Sequence, residues 1–196
     1  KGAGMIAPNM ATMLCFILTD ARITKQALDK ALTAAVEKSF NCITVDGCMS
    51  TNDTVLVLAN AAAGNKIISS GRDLQDFSAA LDILCLDLAK MVIKDAEGAT
   101  KFIQIDVLQA KDALEARKVA ISIANSALFK TAVFGENLNF GRIAQAVGAS
   151  GIKIKEECLK IKLGSLKGRQ VKLVVKLSRG KAKATVFTSD LTCEYI

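Results

Sequence analysis

The stretch KGAGMIAPNMATML, residues 1–14, crowds two glycines, the one proline of the chain (Pro8) and an asparagine ahead of Thr12, which leads into an apolar run. A hydroxyl becomes a good nucleophile only when a base takes its proton, and imidazole is the usual base. The 196 residues contain no histidine. That excludes an imidazole-activated nucleophile within this chain, so covalent chemistry here needs a base of another kind. KGAG also invites a phosphate-loop reading, but it lacks the further glycine and the strand–turn–helix setting that such a loop requires. By residue chemistry alone the stretch reads as a tight turn feeding a strand, with Gly2 and Gly4 supplying unusual backbone angles and Pro8 fixing one.

Other reactive residue types give weaker signals. Cys15, Cys42, Cys48, Cys85, Cys158 and Cys193 form no C-x-x-C pair, and with no histidine to join them no metal centre is expected. They read as reduced, mostly buried thiols of a cytosolic protein. TVDGCMSTNDT (44–54) gathers Asp46, Asn52 and Asp53 among small polar residues, as a calcium or phosphate loop would. It lacks the acidic spacing of an EF-hand loop, and reads instead as a hydrogen-bonded turn supporting the strand that follows Thr12. The net charge of +7 is concentrated between Lys153 and Lys183. In CLKIKLG the lysines alternate with Leu159, Ile161 and Leu163, the period of a strand with one wet face. Nucleic-acid binding would call for aromatic stacking residues nearby, where only Phe187 and Tyr195 stand, so neither nucleic acid nor membrane is an expected partner.

The elements that must position these residues alternate. At 51% hydrophobic residues the chain can bury a sizeable core. Apolar runs predict buried strands over Thr12–Asp20 and Thr54–Asn60. Leu28, Leu32, Ala35, Val36 and Phe40 recur at helical spacing behind Thr24, a candidate cap. A long helix over Asp73–Lys94 carries a stripe of Leu74, Phe77, Leu81, Leu84, Leu88 and Met91, with Asp73 at its start. After a turn at Gly98, residues 102–108 read as a strand. DALE (112–115) reads as a capping box opening a helix to about Leu128. A short strand near Ala132–Phe134, a helix over Phe140–Val147 and three strands with basic outer faces complete a mixed α/β pattern, with a lobe boundary near Lys111.

The opening stretch resembles the self-cleavage junction of the ornithine acetyltransferases (bifunctional glutamate N-acetyltransferases, the ArgJ family), K-G-x-G-M-I-x-P-N-M-A-T-M-L, and every fixed position matches. The resemblance continues through TVDGCMSTNDTVLVLAN (44–60), DAEGATKFIQIDV (95–107) and SALFKTAVFGENLNFGRI (126–143), four blocks in the family's order. It departs at Cys48, where many relatives have aspartate, and in GENLNFGR, where Phe140 keeps an aromatic in place of a tryptophan.

The resemblance implies a layered α/β fold of the amino-terminal-nucleophile type, with a nucleophile-bearing lobe (1–110) and a smaller C-terminal lobe (111–196). It implies cleavage between Ala11 and Thr12, which frees an α-amino group; with a pKa of roughly 7.7–8.0, that amine can itself serve as the missing base. Thr12 would then carry acetyl from N-acetylornithine to glutamate, in arginine biosynthesis in the cytoplasm. Substrate contacts fall on Lys1, Thr12 and Glu97, whose carboxylate suits the amino group of ornithine. No cofactor is implied; some relatives also take acetyl-CoA as donor. The family's oxyanion-stabilising residues lie in an upstream segment and further substrate contacts in a closing segment, so the chain reads as a fragment, nearly inactive alone, whose partner is that upstream segment in an αβ hetero-oligomer. A self-processing amidohydrolase or aminopeptidase, passing the acyl group to water, and a non-catalytic basic binding module are the alternatives.

Overall fold

The computed structural model describes residues 4–7 and 13–195. The chain divides into two units, Lys1–Ile43 with Cys48–Val92, and Thr44–Gly47 with Ile93–Ile196. By packing, the division thus falls at 92/93 rather than near Lys111, because residues 102–110 form an inner strand of the second unit's sheet.

In the first unit, β1 (Leu14–Thr19) and β2 (Thr54–Ala59) pair in parallel, Leu14 opposite Thr54 through Thr19 opposite Ala59. Helix α1 (Lys25–Lys38) starts where the Thr24 side chain accepts the Ala27 N–H at 3.3 Å, the cap its sequence announces. Its fully buried positions are Ala27, Ala31 and Ala35, an i, i+4 row one residue behind the larger Leu28 and Leu32. Helix α2 (Gly71–Lys94) buries Leu81, Cys85, Ala89 and Ile93; of the stripe expected from leucine spacing Leu81 is buried, whereas Leu84 and Met91 are exposed. The two strands are not buried on both faces either: Ile17 is buried, but its neighbours on β1 are not. Phe16 is 61% and Leu18 76% exposed, and Leu56 and Leu58 of β2 share that character.

The second unit is a four-stranded sheet in the order β4 (Lys160–Leu163), β5 (Gln170–Lys176), β3 (Phe102–Ala110), β6 (Ala182–Ser189). β3 runs parallel to β5 and antiparallel to β6, and β4 antiparallel to β5. One face is apolar by alternation: Ile103, Ile105 and Val107 of β3 and Val171, Leu173 and Val175 of β5 pack in one core with Val119 and Ile123 of α3 (Ala113–Ala124) and Ile143 and Val147 of α5 (Phe140–Ala149). On the opposite face Asp106 meets Lys172 at 3.2 Å and Thr185 at 2.8 Å. Burial pushes that carboxyl up, but hydrogen bonds from Gln104, Thr185 and Lys172 outweigh it and hold it below its ordinary value. Lys160, Lys162, Lys172 and Lys176 are exposed, the wet sheet face that the alternation predicts. At the β3–β6 bulge Gly180 lies so close that a Cβ there would sit 2.4 Å from the Ala110 carbonyl oxygen, which leaves room only for glycine.

Asp112 caps α3 by accepting the Glu115 N–H at 2.8 Å, as DALE predicts. The helix ends at Ala124, however, and Ser126 caps a separate helix, α4 (Ala127–Phe134), where a strand was expected near 132–134. Phe129, Ala132 and Val133 of α4 are buried together, an i, i+3, i+4 pattern that a helix brings to one side and a strand would split between two faces.

Among the described residues no helix is long and apolar enough to cross a membrane. The six cysteines are free thiols; Cys85 is buried, Cys15, Cys42 and Cys158 are half-buried, and Cys48 and Cys193 are exposed, so fewer are buried than expected.

Candidate functional site

Lys1, Ala11 and Thr12 lie outside the described residues, so the structure presents the candidate nucleophile through its neighbour, Met13. Met13 is buried, and two bonds from one turn grip its backbone: its N–H donates to Asp53 Oδ1 at 2.7 Å, and its carbonyl accepts the Thr54 N–H at 2.8 Å. The turn is itself braced, Asn52 N–H donating to Ser50 Oγ at 3.1 Å and Thr51 Oγ1 to Asn52 Oδ1 at 3.1 Å. TVDGCMSTNDT therefore does support the strand that follows Thr12, through Asp53 in particular. Burial pushes the Asp53 carboxyl above its ordinary value, against the pull of the Met13 N–H. Two thiols of this unit have raised pKa values: burial raises Cys15 on β1, and raises Cys85 on α2 to about 11, with smaller contributions from Cys15 and Asp82.

Glu97 belongs to the second unit, in the exposed turn between α2 and β3, and its carboxylate makes no hydrogen bond or ion pair with the described residues. Gly98 holds that turn at φ +64°, where a Cβ would fall 2.7 Å from the backbone of Glu194, and its carbonyl accepts the Thr192 hydroxyl at 2.7 Å. Asp190 fastens the following residues, accepting from the Thr100 N–H (2.9 Å), the Thr100 hydroxyl (2.5 Å) and the Lys101 N–H (2.8 Å). Lys101 then pairs with Glu136 at 2.7 Å. An exposed carboxylate on a turn fixed at both ends can take an ammonium group without rearranging its backbone. Beside the turn, Lys94, Thr100, Phe102 and Arg169 line a cavity of about 450 Å³.

Residue-type reasoning did not single out Lys130. It is 3% exposed in α4, its ammonium donating to the Val45 carbonyl, and desolvation lowers its pKa to about 8 against the attraction of Asp46 and Asp190. Asp46 in turn accepts the Tyr195 hydroxyl at 2.8 Å. The available signal was a lysine inside the apolar octet ALFKTAVF. Among the described residues no cluster of cysteine, aspartate and glutamate is arranged to hold a metal ion.

Comparison with known proteins bears on what this arrangement serves. The model of the ArgJ family matches residues 1–167. The chain belongs to the ArgJ family. It is thus a member of the family that its junction motif resembles. Two proteins described as arginine biosynthesis bifunctional protein ArgJ are similar over the whole chain, from Geobacter sulfurreducens at 42% identity and from Zymomonas mobilis at 45%. The matches cover 56% and 54% of those proteins, so the chain spans about half the length of the curated relatives it matches. The crystal structure of the arginine biosynthesis bifunctional protein argJ of Bacillus halodurans is similar at 37% identity and a TM-score of 0.88, over 94% of this chain and 97% of that one. The mixed α/β fold read from the ArgJ-family motifs is the fold of that structure.

Proposed function

We propose that this chain is the nucleophile-bearing part of a longer enzyme of arginine biosynthesis that carries an acetyl group from N-acetylornithine to glutamate as an ester on Thr12. The observation that supports this most is the full junction motif in an ArgJ-family chain, together with the bonds from Asp53 and Thr54 that hold Met13 just ahead of β1. Cleavage comes first. The Thr12 hydroxyl oxygen attacks the Ala11 carbonyl carbon, the Ala11–Thr12 C–N bond breaks, and water hydrolyses the resulting ester to a carboxylate at Ala11 and a free amine at Thr12.

That amine then takes the hydroxyl proton as the Thr12 oxygen attacks the acetyl carbonyl, and returns it to the amine of the departing ornithine. The amine of glutamate attacks the ester in the second step, giving N-acetylglutamate and restoring the hydroxyl. Nothing is oxidised or reduced, so no cofactor is required; acetyl-CoA is an alternative acetyl donor of the same chemistry. Lys1 and Glu97 contact substrate, Glu97 by pairing with an ammonium group of ornithine. The upstream segment supplies the oxyanion donors, a large share of the rate in acyl transfer, and forms an αβ hetero-oligomer with this chain in the cytoplasm; neither nucleic acid nor membrane takes part.

The test is an intact mass of the full-length protein beside its Thr12→Ala variant, followed by assay of acetyl transfer. Two fragments split before Thr12, an uncut variant and formation of N-acetylglutamate are the expected results. A folded parent that stays whole overturns self-processing, and release of acetate in place of N-acetylglutamate makes the enzyme a hydrolase.

A further inference from the structure

Two cations meet at one end of the second unit's sheet, around the cavity of about 450 Å³. Lys94 comes from the last turn of α2, Phe102 from the start of β3, and Arg169 and Gln170 from the point where β5 begins. The volume is in the range of small-molecule sites. Its walls are held in place. The Phe102 N–H donates to the Arg169 carbonyl at 2.8 Å, and Phe102 stands opposite Gln170 across the parallel strands. The Phe102 ring stacks on Phe187 with centroids 5.6 Å apart. The Lys94 ammonium lies 5.8 Å from the centre of the Phe102 ring, near enough for the ring face to attract it and hold it beside the cavity.

The charge there is one-sided. Neither Lys94 nor Arg169 makes an ion pair with a described residue, and no carboxylate stands among the described residues of the lining. Asp190, which reaches Thr100 on the same wall, already accepts the Thr100 hydroxyl and two backbone N–H groups. Lys160 and Lys162 are exposed on an open strand, where water solvates each alone. Lys94 and Arg169 instead share a concavity with apolar walls, which focuses their field on whatever enters it.

We propose that this cavity binds a small organic dianion, a phosphate monoester or a dicarboxylate. Arg169 offers its planar fork of N–H donors, Lys94 the second positive charge and Gln170 a further amide donor, while Phe102 and Ala99 take the body of the ligand. Two cations match the charge of about −1.5 to −2 on a phosphate monoester at neutral pH. The inference does not rest on the acetyl-threonine reading, because Glu97 is not in the lining and no step at Thr12 is involved.

The experiment is calorimetric titration of the full-length protein in chloride buffer with glycerol 2-phosphate and, separately, with malonate. A Kd of about 1 mM or tighter is expected for at least one probe, weakened about tenfold in Arg169→Gln and in Lys94→Gln. Binding of one probe alone supports the inference and says which dianion the site takes; binding of both supports the broader class. Lys181→Gln is the control. It removes the same charge from an exposed position at the opposite end of β3, where Ala110 pairs with Ala182, and is expected to leave Kd unchanged. A loss in Lys181→Gln equal to that in Arg169→Gln means diffuse attraction to a basic chain and overturns the inference. So does a change below about threefold in either cavity variant, or no binding of either probe at about 10 mM. If a cavity variant fails to fold, a crystal structure of the parent with the bound probe decides. The anion against Lys94 and Arg169 supports the inference, and the anion elsewhere overturns it.

Discussion

In the second unit β3 buries Ile103, Ile105 and Val107 completely against α3 and α5, whereas in the first unit β1 offers Phe16 and Leu18 to solvent on the strand that begins just after Thr12. Both strands are rich in large apolar residues, so composition does not separate them. The difference lies in what the sheet is given. Four strands with helices over one face make a closed core, whereas a two-stranded sheet is marginal by itself and an apolar face of this kind marks an interaction surface. The strand that follows the candidate nucleophile is therefore one with an uncovered apolar face. For a chain spanning about half the length of its relatives, the proposed upstream segment is the natural cover.

That contrast can be broken or sharpened by substitution. The largest effect is expected from Phe129→Ala, which empties a fully buried site of the second unit and should lower stability by about 3–5 kcal/mol in urea unfolding. A loss near zero would show that this core is not the closed one described. Next comes the buried cation. Lys130 has a folded-state pKa lowered to about 8 from 10.5, so the native state sheds its proton first as pH rises. Stability should then climb between about pH 8 and 10.5 by something on the order of 3 kcal/mol, and Lys130→Met should flatten that climb while other titrations stay common to both proteins. Parallel curves would mean that the ammonium is not desolvated as the structure has it. The smallest effect on the chain itself belongs to Phe16→Ser, within about 0.5 kcal/mol of wild type because the ring is already in water. Its consequence should appear in binding: about tenfold or more weaker association with the upstream segment, measured by titration of one segment with the other. A melting loss as large as that of Phe129→Ala would erase the contrast between the units.

Where the signal was local, it was legible. Thr24 and Asp112 announce their helices because a cap acts over three residues, and Lys160 and Lys162 face water because strand alternation needs only the next residue. The run TAVF misleads because a short apolar stretch has no period of its own; only the burial of Ala132 beside both Phe129 and Val133, at spacings of three and one, marks the helix. Likewise leucine spacing misplaces the buried stripe of α2, because small residues such as Cys85 and Ala89 are what a close neighbour admits.

The sequence by itself determined the family, the junction at Thr12, the mixed α/β pattern and the caps, since each is written in residues that are adjacent or a turn apart. Tertiary structure alone decided that Asp53 grips Met13 across 40 positions, that Asp190 fastens Thr100 across 90, and that Lys130 is buried against Val45 across 85. Those contacts join residues whose separation along the chain carries no periodic signal, so only the folding of distant segments against one another could bring them within hydrogen-bonding reach.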